Sequence, residues 1–227
     1  MICASPGLGS SGVVQCRKCK LCQVRAKRHW LGRFAAQAYT SDAVRFVTLT
    51  ADDKHLSEIE GLPLAPLKVF RDSLRRAGFT FKHQFVGEYG ELRGRPHYHG
   101  LLMFKGRPPE IPLGVSYGHK YWAKGNSQWE VPRSMSGSIA YIFDYLDKGG
   151  TKFRPSHGVG KQYLLNWARL MARSRKLLVG KFGIEYSVPN DRMKDGKLWQ
   201  RHIAGGHHYA PLLAEAYMTE WLSLWGD

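Results

Sequence analysis

The chain has 227 residues, 43% of them hydrophobic and 12% aromatic, with a formal net charge of +16. This is enough apolar material to bury a core without disulfides, and it excludes a disordered or disulfide-scaffold protein. No apolar run approaches membrane-spanning length, and the first residues lack the charged-then-apolar pattern of a secretory leader, so a cytoplasmic protein that does not engage membranes is expected. The basic excess is concentrated in two acid-free stretches, Met1 to Ser41 and Lys148 to Ile184, which favours a polyanionic partner. Arg17, Lys18, Lys20, Arg25 and Arg28 in the first, with Lys161, Arg169 and Arg173 in the second, are the candidate DNA-contacting residues.

In chain order, residues 1–15 are rich in Gly and Ser and read as irregular, and 23–38 read as a helix. Residues 44–50 (VRFVTLT) are β-branched and aromatic and predict a strand. Residues 65–77 predict a helix that stops at Gly78. Residues 79–87 and 96–104 predict the two strands of an antiparallel hairpin. Residues 105–133, with four prolines and several glycines, read mainly as loop, and 138–148 as a helix ended by Gly149 and Gly150. A helix over 161–176, short strands near 177–179 and 184–188, and a last helix over 211–225 complete the series. Strands and helices in this order predict an α+β sandwich, an antiparallel sheet covered by helices. Three parts are expected: a basic, cysteine-containing extension and helix over 1–40, a core over 41–150, and a basic helical extension over 151–227.

Three constellations carry chemistry. In Arg95-Pro96-His97-Tyr98-His99-Gly100, strand alternation puts His97 and His99 on one face and Tyr98 on the other, and Gly100 is expected to leave room beside the pair. A hairpin returns Glu88 to the histidines, making a three-ligand site with open positions suited to Mg²⁺ or Mn²⁺. The competing reading pairs Glu88 with Arg93 or Arg95. In the 138–148 segment, Tyr141 and Tyr145 are about 40° apart on a helix and Lys148 shares their face, while Ile139, Ile142 and Leu146 form a separate apolar side. A phenol beside a cation ionises more readily and becomes a nucleophile towards a phosphodiester. Last, Cys16, Cys19 and Cys22, with Cys3 as a fourth thiol, offer either a structural Zn²⁺ site or plain reduced cysteines, an iron–sulfur cluster being more remote.

The order of FVTLT (Phe46–Thr50), GEYG (Gly87–Gly90), RPHYHG (Arg95–Gly100) and YIFDYLDK (Tyr141–Lys148) resembles the HUH endonuclease superfamily. It most resembles the rolling-circle replication initiators of gokushovirus-type microvirus phages. The resemblance covers roughly residues 16–150. It implies a metal-dependent tyrosine endonuclease that nicks one DNA strand at the phage origin, leaving a 5′-phosphotyrosine link and a free 3′-hydroxyl. By resemblance, His97 and His99 are metal ligands, Glu88 the third ligand, Tyr141 and Tyr145 the paired nucleophiles and Lys148 their accompanying lysine. Single-stranded origin DNA and the host helicase and polymerase machinery are the implied partners; the chain has no ATP-binding P-loop of its own. The chain is short for the family, and glycines follow Lys148 where the family often carries further basic residues. The rival readings are a single-tyrosine HUH transposase or relaxase, a non-catalytic zinc-stapled nucleic-acid-binding protein, and a metal oxygenase, which has no use for the charge or the tyrosines. The origin sequence, the order in which the tyrosines act and the oligomeric state are not legible in the sequence.

Overall fold

The structure is a computed structural model that describes residues 3–9, 12–14, 16, 18–90, 94–134, 137–138, 141–142, 151–174, 178–179, 185–186 and 210–225. The chain divides into two compact units, Met1–Val159 and Gly160–Asp227. In the first, a short hairpin of β1 (Gly7–Gly9) and β2 (Gly12–Val14) precedes helix α1 (Lys20–Tyr39). The sheet then begins with β3 (Ala43–Ala51). A short helix α2 (Leu56–Ile59) and helix α3 (Leu64–Arg76) lead to β4 (Thr80–Tyr89) and β5 (Pro96–Lys105). Next come β6 (Ser116–His119), β7 (Trp122–Glu130) and the two-residue β8 (Thr151–Lys152). The six-stranded sheet has the order β6-β7-β3-β5-β4-β8, every pair antiparallel. The fold is α+β, as the element order predicted.

Each face of the sheet seals a separate apolar layer. α3 presents Leu67, Phe70 and Leu74 at the three-and-four spacing of a helix stripe, and all are buried. They pack with Leu49, Phe81, Phe85, Tyr98, Leu102, Phe104, Trp122 and Trp129. Gly78, at φ +89°, lets the chain leave α3 and turn into β4. The opposite face carries Val86, Leu101 and Met103 against Phe34 of α1 and Ile142. Arg33 of α1 is buried, its guanidinium 4.5 Å from the Trp30 ring centroid and its Nε donating to the Val159 carbonyl at 3.0 Å.

The second unit has its own core. Leu164, Ala168 and Ala172 from the helix Lys161–Arg173 pack with Leu213 and Tyr217 from the helix Ala210–Trp225. Short strands Leu178–Val179 and Glu185–Tyr186 pair antiparallel.

Two sequence expectations about elements are corrected. The stretch 105–133 is not mainly loop, because it contains β6 and β7. Trp122, Ser127 and Trp129 are buried at positions that change phase within one strand. The register of β6 on β7 shifts at Gly118/His119, and Gly125 adopts φ +142° with its Cα against the β3 end. A bulge of this kind breaks the period-two signal by which a strand is read. Likewise, residues 7–14 form a hairpin where irregular chain was expected.

A correction of side-chain placement concerns Gly100. Position 100 shares the face of Tyr98, not of the histidines. A Cβ there would lie 2.1 Å from Phe85 Cε1, so the glycine admits the Phe85 ring into the α3-side core instead of opening space beside His97 and His99. Gly100→Ala is therefore expected to destabilise the first unit by about 1–3 kcal/mol through overpacking. Adding Phe85→Leu should recover part of that loss, as read from urea unfolding midpoints; equal midpoints for wild type and G100A would refute the clash.

Candidate metal centre and adjoining cleft

Antiparallel pairing assembles the site. On β4 and β5, Glu88 stands opposite His97 and Val86 opposite His99; on β3 and β5, Thr48 stands opposite His99. Alternation sends Glu88, His97, His99, Thr48 and Phe46 to one face, while Tyr98 turns to the other. There Tyr98 is fully buried and its hydroxyl donates to the Pro63 carbonyl at 2.8 Å. Burial, above all, pushes the Tyr98 phenol up.

The three ligand-type side chains converge. Glu88 Oε1 lies 2.6 Å from His97 Nε2 and 2.8 Å from His99 Nε2. The His97 and His99 ring centroids are 4.8 Å apart. His97 Nδ1 is 3.1 Å from the Arg95 carbonyl, which only accepts, so Nδ1 carries a proton there. In a neutral imidazole, Nε2 then bears the lone pair and faces a carboxylate oxygen. His99 Nδ1 is 3.0 Å from Thr48 Oγ1, a hydroxyl that can donate or accept, and its Nε2 faces Glu88. Burial, with His97 adding to it and Glu88 opposing it, lowers the His99 pKa and favours the neutral ring. Glu88 Oε2 is buried without a hydrogen-bond partner. Lone pairs meeting a carboxylate in a half-dry setting fit a divalent cation, and both rings have the outer hydrogen bond that orients a ligating imidazole. The arrangement is a candidate metal site formed by Glu88, His97 and His99. The rival pairing of Glu88 with Arg95 is not formed: Arg95 donates to Asp53 at 2.6 Å and to the Ala51 carbonyl at 3.1 Å. Arg93 lies outside the described residues.

Tyr141 adjoins the cluster. Its ring meets His99 edge-on at 5.5 Å and Phe46 at 5.6 Å, and Phe46 stacks on His99 at 5.5 Å. These rings, with Thr48, line a cleft of about 790 Å³ whose lining also includes Glu130, Arg133 and Ser138. Tyr141 is 39% exposed. Gly137, Ser138, Tyr141 and Ile142 are helical, and Ile142 is buried in the core below, so the helix expected here presents Tyr141 outward and Ile142 inward. Tyr145 and Lys148 lie outside the described residues.

The four cysteines also converge. Cys22 and Cys3 sulfurs are 3.5 Å apart, and Cys3–Cys19 and Cys16–Cys22 are each 3.9 Å apart. Four sulfurs about 2.3 Å from a central zinc make a tetrahedron with edges of about 3.8 Å, so the spacing fits that ion. The thiols are not paired as disulfides. The amides of Cys16 and Cys19 each donate to a neighbouring sulfur at 3.3 Å. Amide hydrogen bonds, chiefly from Ala4 and then Cys22, bring the Cys19 thiol down to about 6, and the Cys16 amide lowers Cys3 most. Thiolates are the form that binds metal. This makes Cys3, Cys16, Cys19 and Cys22 a second candidate metal group.

The candidate DNA contacts are distributed unevenly. Lys18, Lys20, Arg169 and Arg173 are exposed and Lys161 is half-buried. Arg173 donates to Glu220 at 2.6 Å, so part of its charge is met within the second unit. Arg17 and the side chains of Arg25 and Arg28 lie outside the described residues. Thr48 and the Arg95 carbonyl, which orient the two rings, were not singled out from sequence. Their signal is a register opposite the histidines that only the strand pairing reveals.

Comparison with known proteins agrees with this layout. Residues 44–150 match the family model of the replication-associated protein ORF2 type. The chain is 25% identical to the replication-associated protein ORF4 of Chlamydia phage 1, over 77% of this chain and 51% of that protein. It is 27% identical to the replication-associated protein ORF2 of Spiroplasma virus 4, over 82% of this chain and 69% of that protein. The chain thus spans about half the length of the first relative. No solved structure matches it. The resemblance to microvirus-type phage replication proteins, read from the order of motifs, is borne out by these likenesses.

If Thr48 orients His99 for a cation, Thr48→Val should weaken Mn²⁺ binding about 10- to 100-fold, and His97→Ala should weaken it further. Calorimetric titration measures both; a Thr48→Val affinity equal to wild type would remove Thr48 from the site.

Proposed function

We propose that this chain is a replication initiator that nicks one DNA strand at a phage origin, with Tyr141 as a nucleophile. The observation that carries the reading is the edge contact between the exposed Tyr141 ring and His99, within a carboxylate–imidazole cluster that opens onto a cleft. The likeness to phage replication-associated proteins supports the same role.

In this mechanism the Tyr141 oxygen attacks the phosphorus of a phosphodiester lying in the cleft. The bond from phosphorus to the 3′ oxygen breaks. The phenolic proton passes to solvent through the open side, and the departing 3′ oxygen takes up a proton to become a hydroxyl. The 5′ phosphate stays on tyrosine, so the phosphoester energy is retained for a later transfer. Glu88, His97 and His99 would hold Mg²⁺ or Mn²⁺, which supplies charge neutralisation at the phosphate oxygens. Phe46 and His99 fix the Tyr141 ring on two sides, which limits the entropy lost on reaching the attacking geometry. Arg133, in the cleft lining, provides a cation for the incoming strand.

Tyr145, four residues along the sequence, is proposed as the second nucleophile and Lys148 as the cation that favours their phenolates. The free 3′ end would prime a host polymerase behind a host helicase, in the host cytoplasm. The four thiolates would hold a structural Zn²⁺ that secures the start of α1, with Lys18 and Lys20 beside it for phosphate contacts.

The test is incubation of the full chain with single-stranded origin DNA and Mn²⁺, followed by denaturing electrophoresis. Wild type should give a slow band of protein joined to DNA. Tyr141→Phe and Tyr145→Phe should each remove one transfer step and together all adduct. His99→Ala should lower cleavage at least 100-fold while salt-sensitive DNA binding persists. Absence of an adduct with cognate DNA under every divalent ion tried would end the nuclease assignment.

A further inference from the structure

Around β4 and the α3 end of the sheet lies a second pocket, of about 500 Å³, that the proposed chemistry does not use. Its lining includes Arg71 and Arg75 of α3, Lys82 and His83 of β4, and Arg154 and His157 of the segment after β8. Among the described residues no carboxylate lines it. His83 is five residues from Glu88 on β4, about 17 Å along the strand.

The charges are held in place and left largely unanswered. Arg71 donates from Nε to the Leu67 carbonyl at 3.2 Å and from Nη1 to His83 Nε2 at 3.1 Å. A guanidinium has only donors, so His83 Nε2 accepts and the proton of the neutral ring sits on Nδ1. That Nδ1–H is buried with no acceptor, on a residue only 3% exposed. Burial and then the surrounding cations, Arg71 first, bring the His83 pKa down to about 3, so the ring adds a donor rather than a charge. Lys82 is tied to the His157 carbonyl at 2.7 Å, and Arg75 lies over the Phe81 ring at 5.4 Å. Arg75 has one acid within reach, the exposed Asp72 at 3.3 Å. Among the described residues Arg71, Lys82 and Arg154 have no ion-pair partner. Burial, above all, lowers the Arg71 pKa, with Arg75 adding to it and Asp72 opposing it.

We propose that this pocket is an oxyanion site that seats a backbone phosphate of the DNA strand, away from the phosphodiester that is cut. Convergent guanidinium and ammonium donors without a competing carboxylate match a phosphate's charge and its several acceptor oxygens. A DNA strand is the source because the neighbouring cleft is read as taking DNA, and on that reading this inference rests. Seated there, a phosphate would anchor flanking DNA beside β4 and add affinity without reading sequence.

The experiment compares the full-length wild type with Arg75→Gln/Arg154→Gln, two exposed positions. Anisotropy of a labelled 30-nucleotide single strand is followed from 50 to 300 mM NaCl. Loss of one phosphate contact should lower the slope of log affinity against log salt by about 0.7, with affinity at 50 mM falling roughly 5-fold. A control double variant, Lys105→Gln/Arg107→Gln, has the same change in charge and should leave the slope as in wild type. Mn²⁺ titration of each variant checks that the sheet is intact. An unchanged slope for R75Q/R154Q, or an equal drop in the control, overturns the proposal. So does tight binding of free inorganic phosphate that R75Q/R154Q abolishes while DNA affinity stays constant, since the pocket would then serve a small anion. A chain that forms no covalent adduct yet shows the slope change would lose the nicking function and keep this site; an adduct with no slope change has the reverse meaning.

Discussion

Glu88 opposite His97 and Thr48 opposite His99 are two backbone pairings in one sheet, and the rest of the site depends on their register. Side-chain direction in a strand has a period of two. A slip of β5 by one residue would drive both imidazoles into the layer occupied by Phe70, Phe85 and Trp129 and turn Tyr98 outward. The Tyr98 hydroxyl on Pro63 and the seating of Phe85 against Gly100 therefore guard the site from behind. Neither residue faces the histidines, yet both belong to the packing that keeps the register from shifting.

On the functional side, the same pairing creates an electrostatic problem. A carboxylate oxygen faces two imidazole nitrogens, each ring has its other nitrogen already hydrogen-bonded, and for His97 the nitrogen facing the carboxylate is the one with the lone pair. On the proposed mechanism a cation would relieve this and would draw a phosphodiester to the side of Tyr141. The candidate ligands sit on strands, where rotamers are locked by neighbours, whereas the tyrosine comes from a separate helix. The two functions can thus be altered independently: changes at Thr48 bear on the ion, and changes around Phe46 and Ile142 bear on where the phenol stands.

Much of this was legible in the sequence because it rests on local rules. Alternation alone separates His97 and His99 from Tyr98, and a hairpin between 79–87 and 96–104 returns Glu88 to them. Helix spacing places Ile142 inward from Tyr141. What was not legible depends on non-local pairing. β7 is hidden by the phase change around Gly125, so the cleft wall that contains Glu130 and Arg133 had no sequence signature. Gly100 was assigned to the wrong face because its neighbour in space, Phe85, is on another strand. The basic pocket gathers Arg71, His83 and Arg154 from three separated segments, none of which has a spacing that announces the others.

The bond from Arg33 to the Val159 carbonyl joins residues 126 apart. A buried guanidinium needs its acceptor, and here the acceptor is made long after the helix that carries the donor. During synthesis from the N-terminus, α1 emerges early with no completed seat, because Ile142 and Val159 are still to be added. The thiolate cluster at its start needs only residues 3–22, so it can close while the remainder is unmade. The order of assembly that results is a clasp first, then the sheet, and the helix docked last. A nascent chain would therefore carry the acid-free, basic stretch of its first forty residues before the sheet that α1 packs on is complete.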